Sequence, residues 1–238
     1  MDSLDTIVFF TEIFRLGLVI VGYILSVKFF MKYVSFKKEE FLWVGLSWLS
    51  FTTGYIPGVV VFLSLMVFGY SGEFLILFLI CNVYLSPLVA LCWFYAVACI
   101  NYPRYKNKVK WISIAICIFF EILALYIYFY FPNLIGTMQS QFEFQYGLPI
   151  MIFISILFII TLITGIHLSI TGIKSNDHDI KLKGKFLFVA FIMLFFGGIS
   201  DAMLETIYPI FGIIAKLFLI LSVFTYYYGF FLPKWVKK

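Results

Sequence analysis

Apolar residues do not alternate with polar ones along this chain. They run in long blocks, broken at six places by short polar or turn-forming segments. Blocks of this length exceed the roughly 20 residues that an α-helix needs to cross hydrocarbon. The breaks are Ser35 to Glu40, Gly69 to Gly72, Asn101 to Lys106, Pro132 to Gln145, Lys174 to Lys185, and Thr206 to Pro209. They predict seven helices over about 6–32, 41–69, 73–100, 111–131, 147–173, 186–206 and 209–232. The stretch from Phe186 to Leu232 is too long for one span, so Tyr208-Pro209 is read as a turn rather than a kink. The expected fold is all-α, a polytopic membrane bundle of seven transmembrane helices forming one domain over residues 1–238.

Composition agrees. Of 238 residues, 63% are hydrophobic and 12% charged, and the mean hydropathy is +1.06. Water could not solvate such a surface, whereas lipid can. The first residues, Met1-Asp2-Ser3-Leu4-Asp5, lack the basic region of a signal peptide, so the first apolar block is expected to be a retained helix. Cys81, Cys92, Cys99 and Cys117 all fall in apolar blocks and lack Cys-x-x-Cys spacing, so neither an extracellular disulfide nor a zinc or redox site of that motif is expected.

The net charge of +5 changes the picture through its placement. Fifteen of the seventeen basic residues lie in or flank the first, third and fifth breaks or end the chain. Basic residues gather on the cytoplasmic side. This predicts an extracellular N-terminus, a cytoplasmic C-terminus and a cell-membrane location, with the anionic cytoplasmic leaflet as the expected lipid partner. No nucleic-acid partner is expected.

The other two basic residues, Arg15 and Lys216, lie inside predicted helices. A charge in hydrocarbon costs about 2.5–3.5 kcal/mol on insertion scales, so it needs a partner. At 1.5 Å per residue, Glu12 and Arg15 lie roughly 9 and 14 Å along the first helix, and Lys216 roughly 10 Å into the seventh. Asp201 and Glu205, at the end of the sixth helix, fall in the same outer half. Glu12 and Arg15 are spaced i,i+3, and Asp201 and Glu205 i,i+4, so each pair shares a helix face. Asp201–Lys216 or Glu205–Lys216 is the expected ion pair. The five residues form the candidate ligand or ion-pair site. A purely structural ion network that fixes helix packing is the competing reading. Asn82 and Ser86 on the third helix and Glu121 on the fourth are candidate cavity-lining residues.

Several chemistries are set aside. Two histidines are too few for a usual zinc hydrolase site, and no Gly-x-Ser-x-Gly elbow or glycine-rich phosphate loop is present. The chain is not expected to be an enzyme.

Seven helices and a lysine within the last one resemble the microbial rhodopsins. That resemblance implies a retinal Schiff base on Lys216. The family's aspartate one turn before the lysine is Gly212 here, no acid follows Glu73 in the third helix, and the sixth helix has no tryptophan. The Gly229 to Trp235 ending, with the phenylalanine-, isoleucine- and lysine-rich style, resembles uncharacterised seven-helix proteins of Asgard-type archaea, a resemblance that implies no activity. The leading expectation is a receptor- or sensor-like protein with an outward-facing polar site between helices one, six and seven, binding a small molecule or ion and signalling through a cytoplasmic protein partner. The alternatives are a small secondary transporter and a retinal protein. No cofactor is expected in the leading reading.

Overall fold

A computed structural model describes residues 6–69, 74–204, 208 and 210–232. Nine α-helices are described: α1 (Thr6–Phe36), α2 (Glu39–Thr53), α3 (Ile56–Phe68), α4 (Leu75–Phe78), α5 (Ser86–Asn101), α6 (Lys106–Tyr130), α7 (Leu148–Ile173), α8 (His178–Ile199) and α9 (Ile210–Phe230). Two π-helical segments, Leu79–Tyr84 and Ser200–Leu204, join α4 to α5 and extend α8. Six helices are long and apolar enough to cross a membrane, with α4, the first π segment and α5 counted as one. The α2–α3 pair makes a seventh if it is one bent span.

Local chemistry accounts for the departures from continuous helix. The bend between α2 and α3 is 46°. Pro57 lacks the N–H that would bond the Thr53 carbonyl, and its ring crowds that turn. The chain tightens there, with Gly54 N–H donating to Phe51 O and Tyr55 N–H to Thr52 O. Thr52 and Thr53 turn their hydroxyls back onto the Trp48 and Leu49 carbonyls. Pro87 acts similarly on the third span. It leaves the Val83 carbonyl without a backbone donor, and the Ser86 hydroxyl takes that carbonyl at 2.9 Å. The preceding turn is widened, with Leu85 N–H reaching Ile80 O five residues back.

The lysine-rich breaks are more helical than the hydrophobic pattern suggests. α1 runs to Phe36, α6 begins at Lys106 rather than 111, and α8 begins at His178 rather than 186. Asp177 caps α8 by accepting from the Asp179 and Ile180 N–H groups. Lysines extend a helix past the hydrocarbon because long stems carry their ammonium groups to water. The fourth break contains a short antiparallel hairpin, β1 (Gly136–Met138) and β2 (Phe144–Tyr146), with Thr137 opposite Gln145.

The chain divides into two compact units. One is Ser26–Thr161; the other is Asp2–Leu25 with Leu162–Lys238. In the first, Leu79, Val83, Phe120, Ala124, Ile127, Ile135 and Ile150 form a buried apolar cluster, so the hairpin's approach is anchored on α6 and the first π segment. α2 lies against α5, where the Ser47 hydroxyl bonds Val89 O at 3.0 Å and the Trp43 ring meets Tyr95 edge-on. In the second unit α8 and α9 pack antiparallel. A Cβ on Gly229 would lie 2.5 Å from Leu187 Cγ, and one on Gly197 2.9 Å from Leu219 Cγ. Small residues at both places let the helices approach closely.

Candidate functional site

The α8–α9 register determines the first half of the site. Leu187 faces Gly229, Gly197 faces Leu219, and one turn beyond Gly197 Asp201 faces Lys216. The buried face of α9 is Gly212, Ala215, Lys216, Leu219, Ser222, Val223, Tyr226 and Gly229. Its spacing of three and four residues is that of an ordinary helix seam. Lys216 therefore occupies a core position, and only 1% of it is exposed. Its ammonium donates to Asp201 Oδ1. Asp201 lies in the π segment Ser200–Leu204, and 21% of its side chain is exposed. The base is sealed and the acid reaches the surface. π-helical turns gather at functional positions because their widened backbone redirects side chains.

The second half lies on α1, in the same compact unit. Arg15 Nη1 lies 2.9 Å from Glu12 Oε1 and 3.0 Å from Oε2, so one guanidinium nitrogen bridges both carboxylate oxygens. Glu12 is 1% and Arg15 6% exposed. Thr11 and Leu18 are buried beside them on α1. Gly17 joins α1 to α9, since a Cβ there would meet Ile220 Cδ1 at 3.8 Å. Two charge-balanced pairs, one buried on both sides and one on its basic side alone, thus occupy one unit. Four such charges are costly in apolar surroundings, and a well-packed apolar set is often more stable. Glu205, the fifth candidate, lies outside the described residues.

The cavity-lining candidates all fall in the other unit. Asn82 is half-buried in the first π segment. Its Oδ1 would lie 3.4 Å from a Cβ on Gly54, so the amide sits at the α2–α3 bend. Its carbonyl accepts a long, 3.5 Å hydrogen bond from the Tyr146 hydroxyl on β2. Ser86 bonds the carbonyl freed by Pro87, a backbone repair. Glu121 is half-buried on α6.

A cluster that the sequence reading does not single out lies at the start of α2. Glu39 Oε2 accepts from the Tyr95 hydroxyl at 3.0 Å and from Lys106 Nζ at 3.0 Å. Lys110 Nζ lies 5.8 Å from the centre of the Tyr95 ring. Glu39 is 56 residues from Tyr95 and 67 from Lys106. In the sequence it is one acid within a run of interfacial charges, and nothing local marks its partners. Cys81, Cys92, Cys99 and Cys117 carry free thiols, and the Cys117 thiol lies 3.4 Å from Pro87 O. Among the described residues no three His, Cys, Asp or Glu side chains gather as a metal site would require.

The apolar helices, their length and their proline-broken spans are those of a multi-pass membrane protein. Comparison with protein families, with curated proteins and with solved structures finds no match at any level that would carry a family assignment.

Proposed function

We propose that this chain is a receptor- or sensor-like membrane protein, with its ligand site on the outward ends of α1, α8 and α9. In this reading the N-terminus is extracellular and the C-terminus cytoplasmic, as the placement of fifteen basic residues supports. The observation that carries the reading is the uneven exposure of one ion pair. Lys216 is 1% exposed, while the Asp201 side chain is 21% exposed. A ligand arriving from outside meets the carboxylate first. A proton or small cation that takes Asp201 weakens its hold on the Lys216 ammonium, in a seam where that charge is costly. α9 must then shift or repack. Its far end carries the change to the cytoplasmic side, where a partner protein reads it.

The test uses the full chain in nanodiscs. Its tryptophan fluorescence is followed during titration with protons, sodium, ethylammonium and tetramethylammonium. The expected result is a saturable change with a proton or cation that disappears in Asp201→Asn. Identical responses in wild type and Asp201→Asn sink the reading.

A small transporter is the second reading. It is favoured by the bent span at Gly54–Tyr55 and the two π segments, because interrupted helices supply backbone groups to transport sites. Flux of the same probe into proteoliposomes, lost with Lys216→Ala, would decide for it; binding without flux decides for a sensor.

A further inference from the structure

The corner between α1 and α2 is two residues long, Lys37 and Lys38. So tight a reversal needs one residue in the left-handed region, and Lys37 supplies it with φ 55°. Among the described residues Lys37 is the one non-glycine with positive φ. Its N–H donates to Tyr33 O at 2.7 Å, closing α1 with a left-handed cap. Glycine is the usual residue there, because a Cβ in this conformation costs about 1 kcal/mol. The corner itself is held by aromatic packing: Phe41 on α2 lies 6.4 Å from Phe29 and 6.2 Å from Phe36, ring centre to ring centre. Nothing in this packing uses the lysine side chain. A strained residue kept against the local preference points to a use for its side chain.

The surroundings indicate the use. Lys37 and Lys38 are both exposed, and Lys37 Nζ lies 6.0 Å from the Tyr33 ring centre. Lys32 Nζ lies 5.3 Å from that of Phe36. Just before the corner, Met31, Val34 and Phe36 are each more than half exposed. Of the two acids that follow the corner, Glu39 and Glu40, Glu39 is engaged by Lys106 and Tyr95. Ammonium groups thus sit directly beside exposed apolar side chains, an arrangement complementary to an anionic headgroup on an acyl chain. We propose that the Lys37–Lys38 corner is a binding site for the phosphate of an anionic phospholipid, whose chains lie along Met31, Val34 and Phe36.

The test separates the side chain from the backbone strain. The full chain is reconstituted in phosphatidylcholine nanodiscs containing increasing phosphatidylglycerol, and its melting temperature is followed. The wild type rises saturably. Lys37→Gly melts at or above the wild type in pure phosphatidylcholine, because the strain is relieved. It needs roughly fivefold more phosphatidylglycerol for the same rise, the effect of one lysine near an anionic surface. Lys37→Arg keeps the wild-type response. An unchanged phosphatidylglycerol response in Lys37→Gly overturns the proposal. A Lys37→Gly protein that melts below wild type in phosphatidylcholine also overturns it, since the strain would then not exist. Inorganic phosphate that raises the wild type as much as phosphatidylglycerol does overturns the lipid as the ligand.

Discussion

Lys216 and Asp201 face each other across the antiparallel α8–α9 pair, and their ion pair joins a sealed ammonium to a carboxylate that reaches the surface. The asymmetry makes the two single variants unequal. Asp201→Asn removes the carboxylate that faces an ammonium 1% exposed and is expected to cost about 3–5 kcal/mol, the usual effect of breaking a buried pair. Lys216→Met leaves a carboxylate whose side chain is 21% exposed and is expected to cost less. The double variant recovers most of the loss. Chemical unfolding in detergent measures all three, and equal single-variant losses would contradict the exposure difference.

The Glu12–Arg15 pair is sealed on both sides, so its single variants are expected to be alike. Arg15→Met and Glu12→Gln should each lower stability by about 3–5 kcal/mol. The double variant should lose less than the sum of the singles. A double variant as damaged as the sum of the singles would mean that the two residues are not coupled and that each serves other contacts.

Close approach of α8 and α9 depends on Gly229. A Cβ there meets Leu187 Cγ at 2.5 Å and Leu187 N at 3.1 Å. Gly229→Ala is expected to cost about 1–3 kcal/mol through overpacking, and Gly229→Val more. Pairing Gly229→Ala with Leu187→Ala should restore part of the loss at Leu187 Cγ, though the contact with the Leu187 backbone remains. Melting temperatures of the three proteins give the comparison.

Ser86 and Pro87 are expected to be coupled. In the wild type Ser86→Ala removes the bond to the Val83 carbonyl that Pro87 leaves open, at a cost of about 0.6–1.5 kcal/mol. In Pro87→Ala a backbone N–H is available for that carbonyl, and the same serine change should cost almost nothing. A double-mutant cycle that came out additive would show that the serine serves something other than its own helix.

Much of this protein is legible in its sequence because lipid imposes a simple rule. Every spanning backbone group must be satisfied within its segment, so long apolar blocks read as helices and basic clusters mark their ends. The i,i+3 pair Glu12–Arg15 could be named in advance for the same reason, since helix geometry alone makes those residues neighbours. Asp201–Lys216 was one of two options, and the α8–α9 register brings that pair together, while Glu205 lies outside the described residues. The first π segment was not legible: Pro57 and Pro87 are both prolines in apolar runs, yet one bends its span and the other follows a widened turn. Each result depends on what supplies the freed carbonyl, and that is a matter of neighbouring side chains.

The sequence by itself therefore determined the helical class, the number of apolar blocks and the presence of charges within them. The tertiary structure decided that Asp201 meets Lys216, how exposed each partner is, and that Glu39 is shared by Tyr95 and Lys106. The physical reason is range. Periodicity and propensity act over a helical turn, whereas burial and pairing are properties of what another segment brings to the same place.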